Sequence, residues 1–322
     1  MKISASIRAV YEAQLDSRVS LKNRVDALLR SRLKEGWHYE SRVKTIESFT
    51  LKLESGRFDE PSALEDFFAA TIVVRNGLEV SEAEKKIKPL FTFKERRPKQ
   101  NERTHKAPDQ FLFDDLRLYL RWKDERSMPA TGLDGVLFEL QVKTFLQHAW
   151  AIATHDLIYK ADEANWSKMR IAFQIKAMLE HAEISIQEAS LLSQSAALAK
   201  SDSIRTSENA FIKLVTDLWR REDLPADIRR LAENISGLAK LAGLNVDSLR
   251  QLLEEEKTAG RGPLTRNLSP YGIVLQTLFA RRADTFCDAL KEPQRIRALI
   301  SREVELPQGV NTATWKNAVF VE

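Results

Sequence analysis

A run near the middle of the chain alternates apolar and polar residues as a half-buried strand does. Residues 138–144 read FELQVKT, and the polar positions are Glu139, Gln141 and Lys143. Successive side chains of a strand point to opposite faces, which places these three on one face and the apolar residues on the core side. A carboxylate, an amide and an ammonium in a row could bind a metal ion, accept a proton and orient a charged substrate.

Residues earlier in the chain indicate that the charged substrate carries phosphate groups. Enzymes that move phosphoryl groups hold the phosphates of the donor with cations and neutralise the reacting phosphate with carboxylate-bound Mg²⁺. The sequence offers cations, one hydroxyl and one carboxylate of this kind at Arg42, Lys44, Lys52, Ser48 and Asp66. Asp66 precedes one predicted strand and Glu139 lies in another, so the two acids would be well placed to share a metal ion. The alternative is a solvated, charged surface face.

A strongly basic segment lies at 94–106, with the sequence KERRPKQNERTHK. It contains a proline and no apolar residue, which predicts an exposed basic loop. Such a loop is either an ordinary solvated surface or a contact for the phosphates of RNA. The candidate RNA-binding residues are Arg96, Arg97 and Lys99.

The elements that must position these residues indicate a mixed α/β domain. Residues 3–35 have helical spacing, and 41–56 predict a short helix that ends at Gly56. Segments rich in β-branched or alternating residues predict strands at 70–76, 116–122 and 135–142. Strands separated by helices are typical of α/β folds. From residue 164 onward helical patterns dominate, and the best boundary follows residue 200, which predicts domains at 1–200 and 201–322 with the second one all-helical.

Composition narrows the class of protein. The chain has 322 residues, 43% of them hydrophobic, with no apolar stretch near the roughly 20 residues that a membrane span needs. Its single cysteine, Cys287, excludes an internal disulfide and a cysteine-based zinc site. His148 and His155 lie seven residues apart, and without a nearby cysteine we expect no zinc between them. The net charge of +4 favours anionic partners, and we expect a cytoplasmic protein.

The motifs that carry these residues resemble a known family. RVKTIESFTLKL (42–53) resembles the donor-site motif of RelA/SpoT alarmone synthetases, with Thr45 in place of a serine. LEDFFAATIVV (64–74) resembles the family's Asp-x-x-Gly-x-Arg motif at the start of a strand. The stretch that opens with Glu139 is similar to a third motif, which continues through Trp150, His155, Tyr159 and Lys160. The resemblance covers about residues 5–200 and indicates a small synthetase, which could be a toxin member of the family.

The resemblance implies a fold, a reaction and roles for single residues. The fold is the α/β (α+β) nucleotidyltransferase-like domain, a mixed sheet flanked by helices. The reaction moves pyrophosphate from ATP to the 3′-hydroxyl of a nucleotide acceptor. By the match, ATP is bound by Arg42, Lys44, Ser48 and Lys52, and Mg²⁺ by Asp66 and Glu139. Glu139 also accepts the proton of the hydroxyl, aided by Gln141, and the acceptor side comprises Phe113, Arg117, Lys143 and His155.

Departures from the family motifs leave the acceptor open. Phe113, Asp115 and Arg117 stand where the family has Tyr, Ser and His, while Ala69 and Thr71 replace a Gly and an Arg. A phenyl ring still stacks on a base. GDP or GTP is the family's default acceptor, the alternatives are the 3′ end of tRNA or an adenine nucleotide, and a catalytically silent RNA-binding or regulatory module is a third hypothesis. Partners considered are a second copy of the chain and an antitoxin; the helices after residue 200 have no assigned role.

Overall fold

The computed structural model describes residues 1–56, 64–99, 115–124, 131–158, 165–200, 202–260 and 268–321. The chain divides into two compact units, Met1–Leu198 and Ala199–Glu322. In the described ranges, no helix combines the length and the apolar character that crossing a membrane requires.

The first unit is a mixed five-stranded sheet flanked by helices. Its helices are α1 Ala5–Arg30, α2 Ile46–Leu53, α3 Val80–Ile87, α4 Phe145–Ile158, α5 Trp166–Gln187 and α6 Ala189–Leu192. Its strands are β1 His38–Val43, β2 Phe68–Val74, β3 Thr92–Arg97, β4 Leu116–Arg121 and β5 Leu137–Thr144. The strand order is β1-β2-β5-β4-β3, in which β2 and β5 are parallel and the other neighbours are antiparallel. The strands expected at 70–76, 116–122 and 135–142 are β2, β4 and β5.

Two segments of the first unit differ from the sequence expectation. The segment 41–56, expected to be one short helix, contains the end of β1 followed by α2. The segment 94–106, expected to be a loop, begins with β3, which ends at Arg97. Both strands lie at the two edges of the sheet and carry many polar residues, so their apolar alternation is weak.

One face of the sheet forms the core with α1. The helix buries Leu21, Val25 and Leu29 in a cluster with the apolar residues of the three central strands, among them Phe68, Ile72, Leu118, Phe138 and Leu140. The opposite face is left for the polar residues of the same strands, because strand side chains alternate. The sheet therefore separates the core from the candidate site.

A carboxylate fixes α1 to β1. Asp26 accepts hydrogen bonds from Lys22 at 2.6 Å, from Tyr39 at 2.7 Å and from Ser41 at 2.7 Å. Burial acts to raise the pKa of Asp26, but these three hydrogen bonds outweigh burial and the pKa lies below its ordinary value. A lowered pKa means that the folded state favours the ionised form.

Replacing Asp26 by alanine is expected to lower the free energy of unfolding by about 2 kcal/mol, because hydrogen bonds to a charged group are lost and the Tyr39 hydroxyl is left without its acceptor. Urea denaturation measures the change, and Asp16→Ala, an exposed site on the same helix, is the control. The wild-type advantage should be present at neutral pH and disappear as the pH falls through the lowered pKa of Asp26. An equal loss in both variants would contradict this role.

The second unit is mostly helical and has its own core. Its helices are α7 Ser203–Leu218, α8 Ile228–Leu241, α9 Val246–Thr258, α10 Pro270–Arg281 and α11 Ala283–Lys291. The expectation of an all-helical region is corrected by a two-stranded parallel sheet of β6 Ala298–Ser301 and β7 Ala318–Val321. Each strand is only four residues long, which is too short for a recognisable alternation. Aromatic contacts near this sheet include Trp315 stacked on Phe279 at a centroid distance of 5.7 Å.

Candidate active site

The strand register brings the predicted polar residues together on the face of the sheet opposite the core. Glu139 of β5 is paired with Ala69 of β2 and with Tyr119 of β4. Gln141, the next residue of β5 on this face, lies beside Arg117 of β4. Three adjacent central strands therefore contribute to one polar surface.

The two edge strands extend this surface. In β1, His38, Glu40 and Arg42 alternate with residues that face the core. In β3, Arg97 is paired with Arg117. Arg42 is exposed on this surface. The polar face thus crosses the whole sheet, with cations at both edges.

Glu139 is held in one orientation by its neighbours. The Tyr119 hydroxyl donates to Glu139 Oε2 at 2.9 Å, and the Gln141 amide donates to Oε1. Arg97 donates to the Tyr119 hydroxyl at 3.0 Å and lies over its ring. Glu139 is 5% exposed. Burial, then the charge and hydrogen bond of Glu139, raise the pKa of Tyr119, so the phenol stays protonated and remains the donor.

A second cluster surrounds Asp66. Its Oδ2 lies 2.7 Å from the ammonium nitrogen of Lys52, in α2, and 3.0 Å from that of Lys44, which follows β1. Burial acts to raise the pKa of Asp66, but the hydrogen bond from Lys52 and the charge of Lys44 outweigh it, and the pKa is lowered. The pair of predicted ATP-binding lysines is therefore brought together on one ionised carboxylate.

The helix that carries Lys52 begins with a capped turn. Thr45 is the N-cap of α2 and accepts a hydrogen bond from the backbone N–H of Ser48 at 3.3 Å. A threonine at this position satisfies one of the free N–H groups of a helix start. The replacement of the family serine by Thr45 therefore keeps the local geometry that presents Ser48 and Lys52.

The acids fit the Mg²⁺ that the resemblance implies. Asp66 Oδ1 is buried and has no hydrogen-bond partner among the described residues, which leaves an oxygen for a cation. Mg²⁺ is commonly bound by one or two carboxylates together with substrate phosphates. Each Glu139 oxygen, although it accepts one hydrogen bond, keeps a second lone pair. Asp66 precedes β2 by two residues, and Glu139 is paired with the second residue of that strand.

Arg97 connects the two clusters. Besides Tyr119 it pairs with Glu65, the residue before Asp66, at 3.2 Å, and with Glu95 at 2.9 Å. The charges around Arg97 raise its pKa, with the hydrogen bond from its guanidinium to Glu95 as the largest cause. A single cation therefore supports the residue that holds Glu139 and the residue beside Asp66.

The two cations predicted for the acceptor side, Arg117 and Lys143, both lie close to the Asp115 carboxylate. Arg117 donates to Asp115 Oδ1 at 3.3 Å, and the ammonium nitrogen of Lys143 lies 3.8 Å from Oδ2. Burial lowers the pKa of Lys143, against the opposing effect of the Asp115 charge. Phe113, the predicted stacking residue, lies outside the described residues. The serine-to-aspartate departure therefore places a counter-charge between two cations of the acceptor side.

A groove of about 500 Å³ runs along this surface. The described residues that line it include Glu40, Arg42, Thr71, Gln141, Lys143, His148 and His155. Burial lowers the pKa of His148, although the Glu40 carboxylate acts to raise it. Within the described chain, Lys52, Asp66 and Glu139 are not part of the lining. The groove thus joins one predicted donor cation, Arg42, to acceptor-side residues.

Trp150 supports the packing of α4. Its indole N–H donates to the Ala172 carbonyl of α5 at 2.9 Å, and the Lys176 ammonium lies 5.3 Å from its ring centroid. These contacts fix α4 against α5. Tyr159 and Lys160, the last residues of the third motif, lie outside the described residues.

The candidate RNA-binding residues are not a free basic loop. Arg96 donates to Glu84 at 3.0 Å and its side chain is 15% exposed. Arg97 lies in the network around Tyr119. Lys99 follows β3 and is exposed. The rest of the basic segment, from residue 100, lies outside the described residues.

Sequence reasoning missed Tyr119, the residue that connects Arg97 to Glu139. A signal was present, because LRLYLR (116–121) alternates and places Tyr119 on the polar face with Arg117. It also missed the polar face of β1, since residues 41–43 fall in the helix expected at 41–56 and no element is predicted for 38–40.

Residues 41–164 match the family described as the region found in RelA / SpoT proteins. The matched residues all lie in the first unit. The match spans both acids and the described residues of the polar face other than His38 and Glu40. It supports pyrophosphate transfer as the general class of activity and does not specify the acceptor.

Solved structures similar to this chain include small alarmone synthetase 1 from Bacillus subtilis, at 16% identity over 58% of this chain and 98% of that one, with a TM-score of 0.43. A GTP pyrophosphokinase family protein from Streptococcus pneumoniae is 17% identical over 62% and 100%, with a TM-score of 0.45. The type VI effector Tas1, in complex with its immunity protein, is 12% identical over 56% and 100%, with a TM-score of 0.34. No curated protein sequence matches the chain. None of these likenesses specifies the acceptor.

Proposed function

We propose that this protein transfers the pyrophosphate group of ATP to the 3′-hydroxyl of a nucleotide, with Mg²⁺ as cofactor. The observation that carries the proposal is the pair of clusters within the RelA/SpoT region. One holds the buried Glu139 between Tyr119 and Gln141, and the other gathers two lysines on Asp66. Phosphate transfer depends on this combination of fixed acids and cations, because its catalysis is mostly positioning and charge neutralisation.

In the proposed reaction the 3′ oxygen of the acceptor attacks the β-phosphorus of ATP. The bond from this phosphorus to the oxygen that bridges to the α-phosphate breaks, AMP leaves, and the hydroxyl proton passes to Glu139. Asp66 and Glu139 would hold Mg²⁺, which would supply neutralisation of phosphate charge. Lys44 and Lys52 bind donor phosphates by exchanging the Asp66 carboxylate for phosphate oxygens.

For the acceptor we favour GDP or GTP over RNA. The groove of about 500 Å³ has a volume suited to a small ligand, and Arg42 and Lys143 line it. Arg96 and Arg97 already have carboxylate partners, Glu84 of α3 and Glu65 before β2, so they are less available for RNA phosphates than an open loop would be. Retention of both acids and of the donor cations argues against a silent module. With ATP as donor we place the reaction in the cytoplasm.

The experiment that tests the function is incubation with ATP and Mg²⁺ plus, separately, GDP, GTP, AMP and bulk tRNA. With γ-labelled ATP the label should appear in the guanine nucleotide, and with α-labelled ATP it should appear in AMP. If α-labelled ATP gave labelled ADP instead of labelled AMP, a single phosphate would have been transferred, which would contradict the proposal. Labelling of tRNA or AMP alone would replace the guanine acceptor and keep the transfer chemistry. Absence of labelling with every acceptor would favour the silent module.

The donor assignment predicts that Lys44→Ala and Arg42→Ala each weaken binding of ATP with Mg²⁺ by about 10-fold or more, because each removes a charge-assisted contact with phosphate. Isothermal titration with a non-hydrolysable ATP analogue measures the affinity. Lys213→Ala, an exposed lysine of the second unit, is the control for loss of one positive charge. Unchanged affinity in both variants would remove these residues from the donor site.

A further inference from the structure

A second group of metal-binding side chains lies apart from Asp66 and Glu139. His38 and Glu40 are two residues apart on β1, so both side chains point to the polar face. His148 comes from α4. One ligand atom from each of the three residues can be chosen so that all lie within 4.8 Å of one another. Two imidazoles and a carboxylate from two elements therefore meet at one point.

The separations are close to those around a bound ion. Nδ1 of His148 lies 3.9 Å from Oε1 of Glu40, and the His38 and His148 ring centroids are 6.2 Å apart. Bonds of about 2.0–2.1 Å in a tetrahedral shell put ligand atoms about 3.4 Å apart. The distance of 3.9 Å is longer than a hydrogen bond, so these two groups do not satisfy each other directly. Small side-chain adjustments would close the shell around an ion.

We propose that His38, Glu40 and His148 bind a divalent first-row transition ion of the Zn²⁺ type. Imidazole nitrogen suits Zn²⁺, Co²⁺ and Ni²⁺, whereas Mg²⁺ prefers oxygen ligands. Three protein ligands leave at least one coordination position for water or for a substrate atom. The site is therefore different in chemistry from the Asp66 and Glu139 site, and binding of the ion there does not require the proposed reaction.

The position of this site gives it a consequence for the groove. Glu40 and His148 both line the groove, together with Arg42 and Lys143. A divalent ion held there would add positive charge to the wall and present an open position toward an anionic ligand. The ion would neutralise Glu40, the acidic side chain in the described lining of the groove.

The test is metal binding by the full-length protein without nucleotide, in the presence of excess Mg²⁺. Calorimetric titration with Zn²⁺ should give one site, and Co²⁺ should give the visible absorption bands of a nitrogen-ligated ion. His38→Ala and His148→Ala should each weaken Zn²⁺ binding by at least about 100-fold, because loss of an outer-shell partner alone costs about 10- to 100-fold. His181→Ala, an exposed histidine of α5, should bind as the wild type does.

Glu40→Gln provides a variant with little risk to folding, since the Glu40 side chain is 51% exposed. It should also weaken Zn²⁺ binding, and circular dichroism should show an unchanged fold. The proposal is overturned if the wild type does not bind Zn²⁺ at micromolar concentration, or if Glu40→Gln and both histidine variants bind as His181→Ala does. Neither result depends on whether pyrophosphate transfer is observed, because no nucleotide is present.

Discussion

Replacing Glu139 by glutamine is expected to reduce pyrophosphate transfer by at least about 10²-fold, the typical loss on removing a general base. The side chains are nearly isosteric, but the amide cannot accept the proton and is a poor ligand for Mg²⁺. The glutamine side chain can still accept a hydrogen bond from Tyr119 at its oxygen, so the sheet should remain folded. Single-turnover transfer of γ-label measures the rate, and thermal unfolding checks the fold.

The matched control for this variant is Glu12→Gln, which removes an exposed carboxylate from α1 on the core side of the sheet. Tyr119→Phe separates positioning from proton transfer. It removes the hydrogen bond at 2.9 Å but leaves the carboxylate, so we expect an intermediate loss of about 10-fold in kcat with little change in KM. Wild-type turnover in Glu139→Gln with any acceptor would exclude this residue from the chemistry.

The central strands could be predicted because one face of each strand is apolar and packs in the core, while the other face is polar. FELQVKT and LRLYLR alternate, since one side chain of each pair packs on α1 and the next lies on the polar surface. The edge strands β1 and β3 have less apolar surface to bury, and their positions depend on pairing with β2 and β4. Such pairing involves residues distant in sequence, so the segments HYESRV and TFKERR carry no local pattern that predicts a strand.

The residues of the site follow from motifs, but their partners do not. The sequence shows two lysines and an aspartate at positions 44, 52 and 66, and the resemblance to the family motifs assigns roles to Lys44, Lys52 and Asp66. That both ammonium groups lie on Asp66 results from the fold, because α2 and the residue after β1 converge at the start of β2. Arg97 is a similar case, since the sequence shows a basic run while the structure shows a partner for Tyr119 and Glu65.

The two histidines of the inferred metal site illustrate the same limit. In the sequence, His148 and His155 are seven residues apart, and both lie on α4. The partners that the structure brings to His148 are His38 and Glu40, more than a hundred residues earlier. Only the packing of α4 beside β1 brings these ligands within reach of one ion.

Asp66→Asn is the second change expected to have a large effect, a loss of transfer of about 10²-fold or more. The substitution removes the negative charge and the buried oxygen that has no hydrogen-bond partner in the described part of the chain, so binding of Mg²⁺ at the reacting phosphates should fail. The same substitution releases Lys44 and Lys52 from their carboxylate. ATP measured without Mg²⁺ should therefore bind at least as tightly as to the wild type, while the gain in affinity on adding Mg²⁺ should shrink.

This pattern is the reverse of that expected for Lys44→Ala, in which ATP binding itself weakens, so the two variants distinguish a metal ligand from a phosphate ligand. Stability adds a further readout. Because the lysines lower the pKa of Asp66, its contribution to the free energy of unfolding is present at neutral pH and is lost as the pH falls through that lowered pKa. The asparagine variant should lack this acid-dependent part. If Asp66→Asn instead weakens ATP binding as strongly as Lys44→Ala does and keeps the wild-type Mg²⁺ dependence of transfer, Asp66 serves only to position the lysines and the metal is held elsewhere.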